Sequence, residues 1–230
     1  MRTIGLIGGM SWESSAEYYR MINQDSKARH GGHHNAKSVM VTVDFAEIEA
    51  LQRAQDWEAL GARMAEAGRQ LERAGADFVV LTTNTMHRVF DALEQAVALP
   101  CVHIADPTGA ALTAAGIERV GLLGTRYTME LPFYAERLRT RHGLDVLTPD
   151  AADRDDVHRI IYDELCHGVV APGSRAAYAA IVARLAQRGA QAVILGCTEI
   201  TLLIGPDDVA LPVFDTTALH ARAAVELAAR

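Results

Sequence analysis

The chain has 230 residues, half hydrophobic and 22% charged, which suits one large or two small globular domains with ample material for a core. A formal charge of −7, with no run of Lys or Arg, argues against a nucleic-acid partner, and no stretch of about 18 apolar residues offers a membrane span. Cys101, Cys166 and Cys197 are too few and too scattered for a disulfide framework or a structural zinc site.

In chain order, residues 3–7 read as a first strand almost at the start, with no basic leader or cleavable apolar segment before it, so a cytoplasmic protein is expected. Ser14 and Glu17 have capping-box spacing at the start of a helix. Residues 38–43 form a second short apolar run. A helical pattern over 57–74 ends just before Gly75, a residue suited to a helix C′ position. Further strands are expected at 78–81 and 101–104, then at 120–123, 144–147, 192–195 and 213–214. Helical patterns cover 157–166, 176–188 and 218–229. Short continuous apolar runs bounded by Gly or Pro suit parallel strands buried on both faces, and their alternation with helices implies an α/β fold.

The chain also repeats itself. Ile4-Gly5-Leu6-Ile7-Gly8-Gly9 resembles Val120-Gly121-Leu122-Leu123-Gly124-Thr125. The segment 73–81 resembles 187–195, and Leu99-Pro100-Cys101-Val102 resembles Leu211-Pro212-Val213-Phe214. The offsets are 116, 114 and 112 residues. Three ordered matches near half the chain length indicate a duplicated unit. The expected architecture is two similar parallel-sheet α/β lobes, residues 1–105 plus 212–230 and residues 106–211, related by a pseudo-twofold axis. Ligands of open parallel sheets bind beyond the carboxyl ends of the strands, so the active site is expected in the cleft between the lobes.

The repeat puts two strand-end loops in register. Leu81 is followed by Thr82-Thr83-Asn84-Thr85 and Leu195 by Gly196-Cys197-Thr198-Glu199, aligning Thr83 with Cys197 and Asn84 with Thr198. If a helix follows each loop, its free N–H groups could hold a substrate carboxylate, with Asn84, Thr85 and Thr198 adding side-chain donors. Thr and Asn are also ordinary cap residues, which is the plainer reading of each alone. Cys197, between Gly and Thr at an expected helix N-terminus, should gain thiolate character relative to a free thiol near ~8.5. Cys101 and Cys166 lie in apolar or helical runs and read as packing residues.

Ile7-Gly8-Gly9-Met10-Ser11, Thr83-Asn84-Thr85-Met86-His87 and Gly196-Cys197-Thr198-Glu199 resemble the signatures of the aspartate/glutamate racemase family. The resemblance spans essentially the whole chain, including the segments 123–128 and 213–216. It implies an amino-acid racemase that uses no pyridoxal phosphate, metal or nucleotide. In such enzymes two residues, usually both cysteines, flank the substrate Cα and exchange its proton from opposite faces. It also implies that Asn84, Thr85 and Thr198, with Thr125 as a further candidate, hold the α-carboxylate and stabilise enediolate-like charge.

This sequence departs from that pattern at Thr83, where the first cysteine would stand. A hydroxyl is a poor base near neutral pH, so an asymmetric enzyme is expected in which Cys197 works well and the opposite direction is slow. Met10 and Gln52 are candidates for lining a side-chain pocket. Arg53, Arg126, Arg175 and His167 could bind a distal carboxylate, yet each also fits a solvated surface charge, leaving acidic and broad specificity both open. His87 could polarise Thr83, pack or cap. Asp44, His103, Asp106 and Asp215 could orient site residues, Glu199 reads as support for a helix start, and the histidines at 30, 33 and 34 read as a solvated loop. Two alternatives stand beside the racemase: a single-cysteine decarboxylase of the malonate type, and a non-catalytic amino-acid binder. The expected partner is a small amino acid, and family resemblance alone allows a homodimer.

Overall fold

A computed structural model describes residues 1–230. Its central strands, Ile4–Gly8, Phe78–Leu81, Arg119–Gly124 and Ala192–Gly196, are short apolar runs buried on both faces almost throughout, whereas the outer strands are shorter or only partly buried. The chain divides into two compact units, Met1–Ile104 with His220–Arg230, and Ala105–Leu219.

The first unit runs β1 (Ile4–Gly8), α1 (Trp12–His30), β2 (Ser38–Thr42), α2 (Phe45–Arg53), α3 (Trp57–Arg73), β3 (Phe78–Leu81), a 3₁₀ turn (Thr85–Val89), α4 (Phe90–Ala96) and β4 (Cys101–Val102). The second runs α5 (Ala105–Ala114), β5 (Arg119–Gly124), α6 (Arg126–Glu130), α7 (Pro132–His142), β6 (Asp145–Leu147), α8 (Ala151–Asp163), a 3₁₀ turn (Leu165–His167), α9 (Pro172–Gln187), β7 (Ala192–Gly196), α10 (Ile200–Leu203) and β8 (Val213–Asp215). Helix α11 (Thr216–Ala228) starts in the second unit, and from His220 onward belongs to the first.

Each unit holds one four-stranded, all-parallel sheet. The orders β2-β1-β3-β4 and β6-β5-β7-β8 are the same permutation. The registers agree as well: Ile4 pairs with Phe78 as Val120 pairs with Ala192, and Val79 pairs with Cys101 as Val193 pairs with Val213. The duplication read from three sequence matches is therefore a duplication of topology and register.

Alternation along β1 and β3 builds a core on each face of the first sheet. Ile7, Val79 and Leu81 pack with Leu60, Met64 and Leu71 of α3, whereas Ile4, Leu6, Phe78 and Val80 pack with Tyr18 and Ile22 of α1 and Ala221, Ala224 and Val225 of α11. In the second unit Leu123, Val193 and Leu195 pack with Val157 and Ile160 of α8 and Ile181 and Leu185 of α9. Full burial of one such side chain contributes about 1.5–3 kcal/mol.

Several boundaries differ from the sequence reading, each for a local reason. The N-cap of α1 is Ser11, whose hydroxyl accepts from Ser14 N at 3.2 Å, while the Ser14 hydroxyl donates to Thr82 O at 3.2 Å; the capping box at Ser14 does not form. Pro172 opens α9 at its first turn, four residues before the apolar periodicity becomes visible at 176. The helix expected over 157–166 begins at Ala151, ends at Asp163 and gives way to a 3₁₀ turn. The return to the first unit falls at His220 rather than at residue 212, because β8 pairs with β7 and holds the intervening residues in the second sheet. No helix is long and apolar enough to cross a membrane.

Candidate active site

In the second unit, β5 and β7 are neighbours whose last paired residues are Gly124 and Gly196. A Cβ on Gly196 would lie 2.8 Å from Leu123 O, so glycine permits this close approach. The next residues in each chain are Thr125 and Cys197. They therefore leave the carboxyl end of the sheet on its two adjacent central strands, at a spacing near ~4.8 Å between strands. Thr125 is buried and caps α6, accepting from Thr128 N at 3.4 Å. Thr198 receives a hydrogen bond from the Thr217 hydroxyl at 3.3 Å, and its carbonyl accepts from Thr201 Oγ1 at 2.7 Å.

Cys197 is partly buried, a free thiol directly after the fully buried strand β7. Its Sγ–H donates to Glu199 Oε2 at 2.9 Å. Burial pushes the thiol well above its ordinary range, and the Glu199 carboxylate adds to that through charge and hydrogen bond. This corrects the expectation of a lowered value. The helix after the loop starts only at Ile200 and is four residues long, so its field is weak beside a full carboxylate charge.

In the first unit, Thr82 anchors the end of β3: its N–H and hydroxyl donate to Ile7 O at 3.0 and 2.9 Å. Within 81–87 Thr83 alone is partly exposed, and its neighbours, Asn84 and Thr85 among them, are buried. The loop leads into a 3₁₀ turn rather than an α-helix start. Behind it sits His87, whose Nδ1–H donates to Thr83 O at 2.7 Å while Ile104 N–H donates to its Nε2 at 3.1 Å. The ring also stacks on Phe90 at 5.2 Å and meets His103 edge-on at 4.4 Å. His220 joins Tyr18 to Val102 O in the same manner, at 2.9 Å on each side. Gln52 is buried and donates to Met86 Sδ at 3.4 Å, and Met10 is buried in the core cluster that contains Met86.

The remaining sequence candidates have structural partners. Asp44 caps α2 and Asp215 caps the start of α11, accepting from Ala46 N at 3.0 Å and Thr217 N at 2.8 Å. Asp106 takes both nitrogens of the Arg137 fork at 2.7 Å. Arg53 pairs with Glu49, Arg126 with Asp155 and Arg175 with Asp208. His167 lies on the exposed end of its turn. Cys166 packs against the second-unit core, while burial and Glu94 push the Cys101 thiol up to about 12. Glu199 is the participant that sequence reasoning undervalues. Its position two residues after Cys197 is the available signal, but in a strand-end loop that spacing does not by itself say where the carboxylate turns.

The family model described as Asp/Glu/Hydantoin racemase matches residues 7–224. A Yersinia pestis protein crystallised as a candidate Asp/Glu racemase is 52% identical with a TM-score of 0.94, each chain covered fully. An aspartate racemase homologue from Pyrococcus horikoshii is 33% identical with a TM-score of 0.87, again over the whole of both chains. The broad specificity amino-acid racemase RacX of Bacillus subtilis is 21% identical over 227 residues, 96% of each sequence. With the duplicated sheets, the cysteine-bearing strand end and a match over nearly its full length, this chain belongs to the Asp/Glu/hydantoin racemase family.

Proposed function

We propose that the chain is an amino-acid racemase that uses no pyridoxal phosphate and exchanges the substrate α-proton directly. Cys197 moves the proton at one face of Cα and Thr83 serves the other. Asn84, Thr85, Thr125 and Thr198 are the donors proposed for the α-carboxylate, with Met10 and Gln52 proposed near the side chain. The observation that carries the reading is Cys197 itself, a partly exposed thiol at the end of a buried strand, one strand over from Thr125, with its proton already hydrogen-bonded. Deprotonation at Cα places negative charge on the carboxylate, where fixed donors act most strongly.

Arg53, Arg126 and Arg175 are engaged by carboxylates, which supports broad specificity over a site restricted to acidic side chains. Thr83 lacks an ionisable thiol, and its link to His87 runs through the carbonyl rather than the hydroxyl. The two directions should therefore differ in initial rate while still approaching an equilibrium constant of one.

The test incubates the protein with each enantiomer of several amino acids in D₂O without added cofactor. Proton NMR follows loss of the α-hydrogen, chiral chromatography follows inversion, and Cys197→Ala is the control. Exchange with inversion that falls about 10²-fold or more in Cys197→Ala is expected. Binding without exchange would turn the reading into an amino-acid binder. Carbon dioxide release from a disubstituted malonate, without exchange of any amino acid, would turn it into a decarboxylase.

A further inference from the structure

We propose that Glu199 is the proton partner of Cys197, taking the thiol proton when Cys197 must act as a base and returning it afterwards. This rests on the racemase reading for its place in the reaction, though the pairing itself does not.

The first support is where the carboxylate goes. Glu199 occupies the N-cap position of α10, yet its side chain makes no capping hydrogen bond to that helix. It turns instead to the sulfur two residues earlier, at 2.9 Å, and the residue is nearly buried. A carboxylate at a helix start normally serves the free N–H groups there. This one accepts from a thiol.

The second support is charge. With its proton on, Cys197 is ready as an acid but inert as a base. Losing that proton to solvent would leave a thiolate and a carboxylate side by side, two negative charges 2.9 Å apart on a partly buried pair. Passing it along the existing hydrogen bond leaves the pair with one negative charge before and after. The S–H bond breaks, an O–H bond forms on Glu199, and the thiolate then accepts the α-proton as the C–H electron pair passes into the enediolate. The sulfur also receives the Glu199 backbone N–H, which favours the thiolate once it forms. Titratable groups that act on or respond to Cys197 include Cys166, in the 3₁₀ turn before α9, and Tyr178 of α9. Tyr178 donates to Val157 O at 3.0 Å and is itself pushed up by burial, so it is a poor rival for the proton.

The test compares wild type, Glu199→Gln and Glu199→Asp in two measurements. Iodoacetamide labelling across pH, read by peptide mass spectrometry to separate Cys197 from Cys101 and Cys166, reports thiolate formation directly. Glutamine removes the neighbouring charge, so the Cys197 labelling midpoint should move to lower pH. The α-hydrogen exchange rate for the enantiomer that Cys197 deprotonates should nevertheless fall about 10²-fold in kcat with little change in KM, and aspartate should recover part of it. More Cys197 thiolate with less catalysis, while Cys101 and Cys166 label as in wild type, is the signature of a lost proton acceptor; damage to the fold would raise labelling at the other two cysteines as well and raise KM. An unchanged labelling profile in Glu199→Gln, or exchange at or above the wild-type rate, overturns the proposal. Should wild type exchange nothing, the racemase reading fails, and the labelling profiles still decide the pairing.

Discussion

His87 holds Thr83 by the backbone: the imidazole donates to the Thr83 carbonyl at 2.7 Å and accepts from Ile104 N–H at 3.1 Å. A carbonyl can only accept and an amide N–H can only donate, so the two partners assign a neutral ring protonated at Nδ1. The ring ties the loop after β3 to the end of β4, fixing where Thr83, Asn84 and Thr85 stand. His87→Phe preserves a ring beside Phe90 but removes the partner of the buried Ile104 N–H, at about 1–3 kcal/mol, and of the part-buried Thr83 carbonyl, at less. A thermal melt should show a Tm lower by several degrees, with α-hydrogen exchange reduced alongside. His87→Gln, which can both donate and accept, should recover part of each loss. Wild-type melting and exchange in His87→Phe would show that the ring does not hold the loop.

Thr83→Cys should raise the slow direction. A thiol titrates near ~8.5, far closer to working pH than an alcohol, and general acid–base catalysis improves as that gap closes. Thr83 is partly exposed where its neighbours are buried, so a sulfur in place of its oxygen meets little crowding. Initial rates from each enantiomer, followed by chiral chromatography, should show the slower direction gaining at least about tenfold and the faster one changing less. Equal slowing of both directions would mean that Thr83 is a structural residue.

Much of the fold is legible in the sequence because it is written in short-range pattern. The parallel strands follow from aliphatic runs such as 78–81 and 192–195, and the duplication from three offsets that the pairing Ile4–Phe78 and Val120–Ala192 reproduces. Side-chain direction is not written there. Ser14 and Glu17 have the spacing of a cap, but Ser11 stands one turn earlier and takes that role. Glu199 resembles a helix-start residue and bonds a thiol instead. The Cys197 titration runs opposite to the sequence expectation for the same reason: a helix field can be inferred from position, whereas a carboxylate at 2.9 Å cannot. The return to the first unit at His220 depends on β8 pairing with β7, a non-local contact with no local signature.

Asp106 should control acid sensitivity in the second unit. Burial pushes its carboxyl up, but the Arg137 fork, with Arg141 and His142 each at 3.9 Å, outweighs burial and holds it below its ordinary value. A carboxyl depressed on folding stabilises above its unfolded value near ~3.9, and that contribution is lost as pH falls through the folded one. Asp106→Asn leaves a half-buried guanidinium without its carboxylate and should cost about 2 kcal/mol at pH 7. Melts of both proteins between pH 7 and pH 2 should converge below about pH 4. A constant difference across that range would mean that packing, not charge, sets the loss.

Gly196→Ala tests whether the close approach of β5 and β7 is what presents Cys197. The new Cβ would meet Leu123 O at 2.8 Å and Leu122 Cδ1 at 3.1 Å, and the carbonyl belongs to the paired strand and cannot swing aside. Relief requires β7 to shift, at about 1–3 kcal/mol, carrying the residue after it away from Thr125. Gly173→Ala is the matched control: it sits in the first turn of α9 with open space around it and should be neutral or slightly stabilising. Tm and α-hydrogen exchange should both fall in Gly196→Ala and hold in Gly173→Ala. A Gly196→Ala protein that melts lower yet exchanges at the wild-type rate would show that Cys197 keeps its place without the glycine pair, and that the paired strand end is not what positions the thiol.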